Sequence, residues 1–169
     1  MSSPRLVSMV NVQSRKTKVK NVCITGGEPL LYEEEILPLV YDLQDNGYKV
    51  SIETSGCLPI EREPYRRSYR YIMDVKCPSS GISDKNVYDN LLFLQSNDDV
   101  VFVVKDRKDY IFMRNVIKTY PTQAALLVSP MFDENEKPVI GSQLVDWILK
   151  DGLENIRVQI QLHKCLGVH

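Results

Sequence analysis

Six short runs rich in β-branched apolar residues recur along this chain. Each is followed by a polar, glycine or proline break and then by a helix-like stretch, which restricts the fold to the α/β class with mainly parallel strands. The runs are Val19–Thr25, Tyr48–Glu53, Tyr71–Lys76, Asp99–Lys105, Ala124–Ser129 and Ile156–Leu162. Between them Ile36, Leu37, Val40 and Leu43 fall on one face at helical spacing, as do Val87, Leu91 and Leu94 further on. Ile111, Phe112 and Val116 predict a third sheet-covering helix, and Leu144, Val145, Ile148 and Leu149 a fourth after the Gly141-Ser142 start signal. Asn46-Gly47 and Asp151-Gly152 stand where helix ends need a residue tolerant of positive φ. Leu58 to Arg70, with two prolines and no clear period, reads as a loop or a helix reduced to a connection.

With 169 residues, no internal repeat and no low-complexity tract, residues 1–169 are expected to form one domain around one core. A chain that is 43% hydrophobic and 25% charged belongs with soluble globular proteins. Its 21 basic residues against 22 acidic ones leave a net charge of -1, so its overall field attracts no polyanion and nucleic acid is not expected as a partner. No apolar run is long enough for a signal peptide or a membrane span, so no membrane partner is expected and the cytoplasm is the natural compartment. Cys23, Cys57, Cys77 and Cys165 lie too far apart in sequence for a zinc ribbon or a redox pair. Cys23 reads as a core residue, with Cys57 and Cys77 nearer the ends of strands.

In parallel sheets and barrels, ligands bind at the carboxyl ends of the strands, where the βα loops converge. Here those ends are Thr25-Gly26-Gly27-Glu28-Pro29, Glu53-Thr54-Ser55-Gly56, Asp74-Val75-Lys76-Cys77-Pro78-Ser79, Lys105-Asp106, Ser129-Pro130 and His163-Lys164. Polar residues and glycines thus collect at one rim. The paired glycines allow close backbone approach to a ligand, and Glu28 can accept from a bound amine or brace its own loop. Asp74 and Lys76 share one strand face, so Lys76 can pair with Asp74, with a bound carboxylate, or with both.

Thr25-Gly26-Gly27-Glu28-Pro29-Leu30-Leu31 directly after an apolar strand resembles the radical S-adenosylmethionine (SAM) motif whose backbone holds the SAM amino group. Ile52–Gly56, Met73–Ser79, Phe102–Arg107, Val128–Phe132 and Gln159–Lys164 resemble, in order, later segments of the 7-carboxy-7-deazaguanine synthases. The likeness runs from about Val19 to the C-terminus, and Gln-x-x-His-Lys with Gly167 close behind narrows it to that family. It implies an incomplete TIM-type βα barrel. It also implies that Thr25, Gly26, Gly27, Glu28, Glu53, Ser55, Asp74, Lys76, Ser79 and Ser129 bind SAM, with Ser129 toward the adenosine, and that Gln161 and His163 hold the pterin substrate from alternate positions of the last strand. No residue is assigned a catalytic role.

In that family a reduced [4Fe-4S] cluster cleaves SAM to a 5'-deoxyadenosyl radical. The radical takes hydrogen from 6-carboxy-5,6,7,8-tetrahydropterin, whose ring contracts with loss of ammonia, assisted by magnesium and fed by an external electron donor. The product serves 7-deazapurine synthesis for queuosine- or archaeosine-type nucleosides. The cluster is held by a Cys-x3-Cys-x2-Cys loop before the Gly-Gly-Glu-Pro strand, yet no cysteine precedes Cys23 here. The expectation is a chain lacking the family's first strand, cluster loop and magnesium ligand. Met1 to Lys20 would stand in their place, with Leu6, Val7 and Val10 keeping a piece of a helix, and the chain alone would cleave no SAM. The open barrel edge invites a homodimer. Two other readings stay open: a non-catalytic SAM- or pterin-binding module, and another radical SAM enzyme such as a glycyl-radical activating enzyme.

Overall fold

The computed structural model describes residues 3–61, 69–135 and 137–167, with the side chain of His163 excepted. Strands β1 (Asn21–Ile24), β2 (Lys49–Thr54), β3 (Arg70–Asp74), β4 (Asp99–Val104), β5 (Ala125–Pro130) and β6 (Ile156–Val158) form one sheet in sequence order. Every pair is parallel, from Cys23 beside Ser51 at one edge to Leu127 beside Arg157 at the other. Strands added one after another in a single direction, each returning through a connection, curl as a barrel wall does. The sheet does not close.

Among the described residues six α-helices accompany the strands: α1 (Ser3–Thr17), α2 (Glu33–Asp45), α3 (Asn90–Phe93), α4 (Arg107–Thr119), α5 (Gly141–Lys150) and α6 (Leu162–Leu166). Side-chain alternation along β2 and β3 sends Val50, Ile52, Tyr71 and Met73 into the core, each at 5% exposure or less. Their opposite numbers Ser51, Glu53, Ile72 and Asp74 are half-buried or exposed on the concave face. Leu37, Val40 and Leu43 of α2, Tyr110 and Met113 of α4, and Leu144 and Ile148 of α5 complete the same core. Burying side chains of this size stabilises by roughly 1.5–3 kcal/mol each, which is what holds the curved wall together.

Three sequence expectations change. The helix read through Val87, Leu91 and Leu94 shrinks to the single turn of α3, preceded by two 3-10 turns at Pro78–Ser80 and Ser83–Lys85. Side-chain hydrogen bonds win there over helix propensity. Asn86 Oδ1 accepts the Lys76 N–H and its amide donates back to the Lys76 carbonyl, both at 2.9 Å. Asn90, 1% exposed, accepts the Ile60 N–H and donates to the Leu58 carbonyl, both at 2.8 Å.

The last strand is shorter than its sequence run. Gln159 N–H still donates to the Val128 carbonyl at 2.9 Å, but Pro130, the next β5 residue facing that side, has no N–H to return. Leu162 and the residues after it therefore coil into α6 rather than alternating along a strand. The burial of two cysteines is also exchanged, because Cys23 alternates onto the concave face and is exposed while Cys77 is buried.

The other elements match their runs closely. The N-terminal piece of helix is a full fifteen residues, tied to α2 by Ser3 Oγ donating to Asp42 at 2.6 Å and to the rest by Tyr48 donating to Asn11 at 2.7 Å. Of the segment read as a loop, Leu58 to Glu61 and Tyr69 carry neither helix nor strand, and residues 62–68 lie outside the described residues.

Candidate functional site

The concave face ends in a cavity of about 460 Å³ at the carboxyl ends of the strands. Thr25 and Gly27 come to it from the loop after β1, Glu53 and Ser55 from the end of β2, Asp74 and Lys76 from β3, and Gln159 and Gln161 from beyond β6. First and last strands thus meet across one mouth, which is the consequence of curling the sheet. A second cavity of about 240 Å³ adjoins it, sharing Asp74 and Lys76 and continuing over Ser79 and Lys105.

On the β1 side, Gly26 and Gly27 hold φ of +93° and +59°, in the left-handed region, and a Cβ at either would meet nothing within 4 Å. The glycines keep an open space in front of the backbone, the condition for a ligand to reach its carbonyls. Glu28 turns away from that space. Its carboxylate accepts the Thr54 hydroxyl at 2.7 Å, the Ser55 N–H at 2.9 Å, the Leu30 N–H at 3.1 Å and the Ser55 hydroxyl. Burial works against its ionisation, but the hydrogen bonds from Ser55, Thr54 and Leu30 outweigh it and hold the carboxyl below the usual glutamate range. Of the two roles open to Glu28 in the sequence, this geometry is the brace.

The neighbouring groups stay open. Thr25 donates to Glu53 at 3.2 Å, leaving Glu53 exposed on the concave face. Lys76 lies 2.6 Å from Asp74, with both side chains about a third exposed at 28% and 32%. Ser129 is 1% exposed, its hydroxyl 3.3 Å from the Pro130 carbonyl, and it lines neither cavity. Gln161 reaches the larger cavity from the coil before α6, while the side chain of His163 lies outside the described residues.

One residue of the rim is missing from the sequence reading. Asp109, in the first turn of α4, is fully buried and accepts the Ser79 N–H at 2.9 Å and the Lys105 N–H at 3.0 Å. It ties the loop after β3 to the loop after β4. An Asp three residues after the helix-capping Asp106 was the available clue, since such acids favour helix starts, but the second loop it holds is remote in sequence.

No three His, Cys, Asp or Glu side chains converge as a metal-binding group among the described residues. The cysteines do not fit a three-thiolate holder: Cys23 lies on the concave face of β1, Cys165 is on α6, and Cys57 lies 3.8 Å from Glu28. Burial, with Asp109, Asp74 and Asp106 nearby, pushes the Cys77 thiol far up and away from the thiolate a metal needs. Among the described residues no helix is long and apolar enough to cross a membrane.

No protein-family model matches the chain. It is 38% identical over 152 residues to the 7-carboxy-7-deazaguanine synthase of Koribacter versatilis, covering 83% of this chain and 66% of that protein. It is 39% identical over 163 residues to the enzyme of that name from Methanospirillum hungatei, covering 96% and 65%. To that from Clostridium acetobutylicum it is 31% identical over 156 residues, covering 90% and 68%. The chain spans about two thirds of the length of these curated relatives. Matched over at least 83% of its own length to proteins of one name, the chain belongs to the 7-carboxy-7-deazaguanine synthase family.

Proposed function

We propose that this chain holds S-adenosylmethionine along the rim and presents a carboxylated pterin to it, for the ring contraction of 6-carboxy-5,6,7,8-tetrahydropterin to 7-carboxy-7-deazaguanine. One observation carries the reading: loops from β1, β2 and β3 and from beyond β6 line a single cavity of about 460 Å³. That volume is within the range for small-molecule sites. A mouth of glycine backbone, carboxylates and one lysine suits a zwitterion.

In this reading the backbone carbonyls of Gly26 and Gly27 accept from the methionine ammonium and Glu53 accepts from the ribose hydroxyls. Lys76, steadied by Asp74, is within the same mouth for a carboxylate. Gln161 offers both an amide donor and an acceptor, the pattern that a pterin edge presents in reverse. His163 joins it by family likeness. Glu28 acts through the loop it braces, keeping the two glycines in register with Ser55. Given one electron from a reduced iron-sulfur cluster, bound S-adenosylmethionine would supply the hydrogen-abstracting group for such a reaction; the side chains around it hold, orient and shield.

Titration calorimetry of the chain with S-adenosylmethionine and then with the carboxylated tetrahydropterin tests this. Saturable heat from the cofactor is expected, lost in Gly27→Val, whose side chain enters the cavity from a backbone with φ of +59°. Absence of heat from both ligands removes the reading.

A further inference from the structure

The two cavities of the rim treat their positive charges differently. Lys76 is matched by Asp74 at 2.6 Å. Lys105, lining only the smaller cavity, has an ammonium with no ion pair or hydrogen bond among the described residues. The Ser79 hydroxyl, on the same cavity, likewise has no partner among them. Lys105 and Ser79, both exposed and both carrying a side-chain donor without a committed acceptor, thus line a cavity of about 240 Å³.

Their positions are fixed from below. The buried Asp109 carboxylate takes the backbone N–H of Ser79 on one oxygen and that of Lys105 on the other, so both residues project from a clamped backbone. Preorganisation of this kind lowers the ordering cost of binding. Across both cavities the lining carboxylates are Glu53, Asp74 and Asp109 and the lining ammonium groups are Lys76 and Lys105, an excess of one negative charge. That balance fits a ligand with two cationic centres and a single carboxylate whose acid end is taken up by a lysine.

We infer that the smaller cavity is a carboxylate subsite, with the Lys105 ammonium as its charged donor and the Ser79 hydroxyl as its second. The identity of the ligand rests on the function proposed above. The carboxylate could come from the amino-acid end of S-adenosylmethionine or from the 6-position of the pterin.

The test is calorimetry on the wild-type chain, Lys105→Gln and Lys105→Arg. Four ligands are compared: S-adenosylmethionine, its decarboxylated analogue, 6-carboxytetrahydropterin and tetrahydropterin without the carboxyl group. Lys105→Gln is expected to weaken one carboxylated ligand on the order of tenfold while leaving its decarboxylated counterpart unchanged, and Lys105→Arg to retain most of the affinity. Whichever carboxylated ligand responds identifies the source. Equal affinities for wild type and Lys105→Gln overturn the subsite, as does an equal loss with both members of a pair. If the wild-type chain binds S-adenosylmethionine or the pterin and the variant matches it, only the subsite falls. If the wild type binds neither, the proposed function falls and the subsite with it. Far-ultraviolet circular dichroism confirms that the variants fold, as expected for an exposed lysine.

Discussion

The two halves of the rim use one device for the same structural end and differ in what they leave over. On the β1–β2 side, Glu28 collects hydrogen bonds from Thr54, Ser55 and Leu30 and so fastens the glycine loop to the end of β2. On the β3–β4 side, Asp109 collects those of Ser79 and Lys105 and fastens two further loops. In each case an acid is consumed inside the protein. What faces the cavities afterwards is glycine backbone with Thr25 and Glu53 on the first side, and the side chains of Asp74, Lys76 and Lys105 on the second. The acid most conspicuous in the sequence is therefore a brace, and the ligand-facing groups are those the braces release.

The largest effect is expected at the more deeply buried brace. Asp109→Ala removes the acceptor of two backbone N–H groups at a fully buried position. Unsatisfied buried groups cost about 1–3 kcal/mol each, so a loss of roughly 2–5 kcal/mol in unfolding free energy is expected, read from a lowered urea midpoint at constant m-value. A loss below about 1 kcal/mol would mean that the loops hold themselves and that only the β1–β2 side is braced.

Glu28→Gln comes next. It replaces an accepting oxygen by an amide NH₂ that faces donors, and a loss of about 1–3 kcal/mol is expected. This brace also has a pH signature. Because the folded carboxyl is held below its ordinary range, it binds protons more weakly than the unfolded chain does. Its contribution is present above the unfolded value of about 4.3 and disappears as pH falls through the folded value. Urea titrations between neutral and acid pH should show a shallower decline for Glu28→Gln than for wild type. Parallel curves would assign the acid sensitivity elsewhere.

Gly56→Ala probes the turn after β2 with a smaller change. Gly56 has φ of +69°, and an added Cβ would sit 3.0 Å from Cγ and 3.2 Å from Sδ of Met73. Left-handed strain contributes about 1–2 kcal/mol, and the flexible methionine can yield part of the contact, so a loss of about 1–2 kcal/mol is expected by thermal unfolding. The replacement Gly26→Ala has the same backbone strain with open space around it. A similar loss at both would show that conformation, and not the Met73 contact, decides.

The strand runs, the helices α2, α4 and α5 and the convergence of Thr25, Gly27, Glu53 and Lys76 were legible in the sequence, because each follows from local periodicity or from the rule placing sites at strand ends. What was not legible depends on partners far along the chain. Asn90 and Asn86 end the expected helix by bonding to the loops at Ile60 and Lys76, and Pro130 ends β6 from a neighbouring strand. Asp109 looks like an ordinary first-turn acid until the loop at Ser79, thirty residues earlier, is brought beside it. Glu28 was visible as a motif residue, but its direction was decided by Thr54 and Ser55. Local propensity writes the elements; the side-chain braces that set their ends are long-range.

The smallest effect separates holding from binding. Asp74 and Lys76 stand two residues apart on one strand face, 2.6 Å between charges, with side chains 32% and 28% exposed. A pair so open to water contributes at most about 1 kcal/mol to folding, because solvent screens it and both side chains must be ordered. Lys76→Gln should therefore move the unfolding midpoint little, far less than Asp109→Ala, while weakening any anionic ligand of the larger cavity on the order of tenfold. It would also leave the Asp74 carboxylate unmatched at the mouth, adding negative charge where a carboxylate must approach, so the binding loss should shrink as salt rises. A large stability loss in Lys76→Gln would place this pair among the braces.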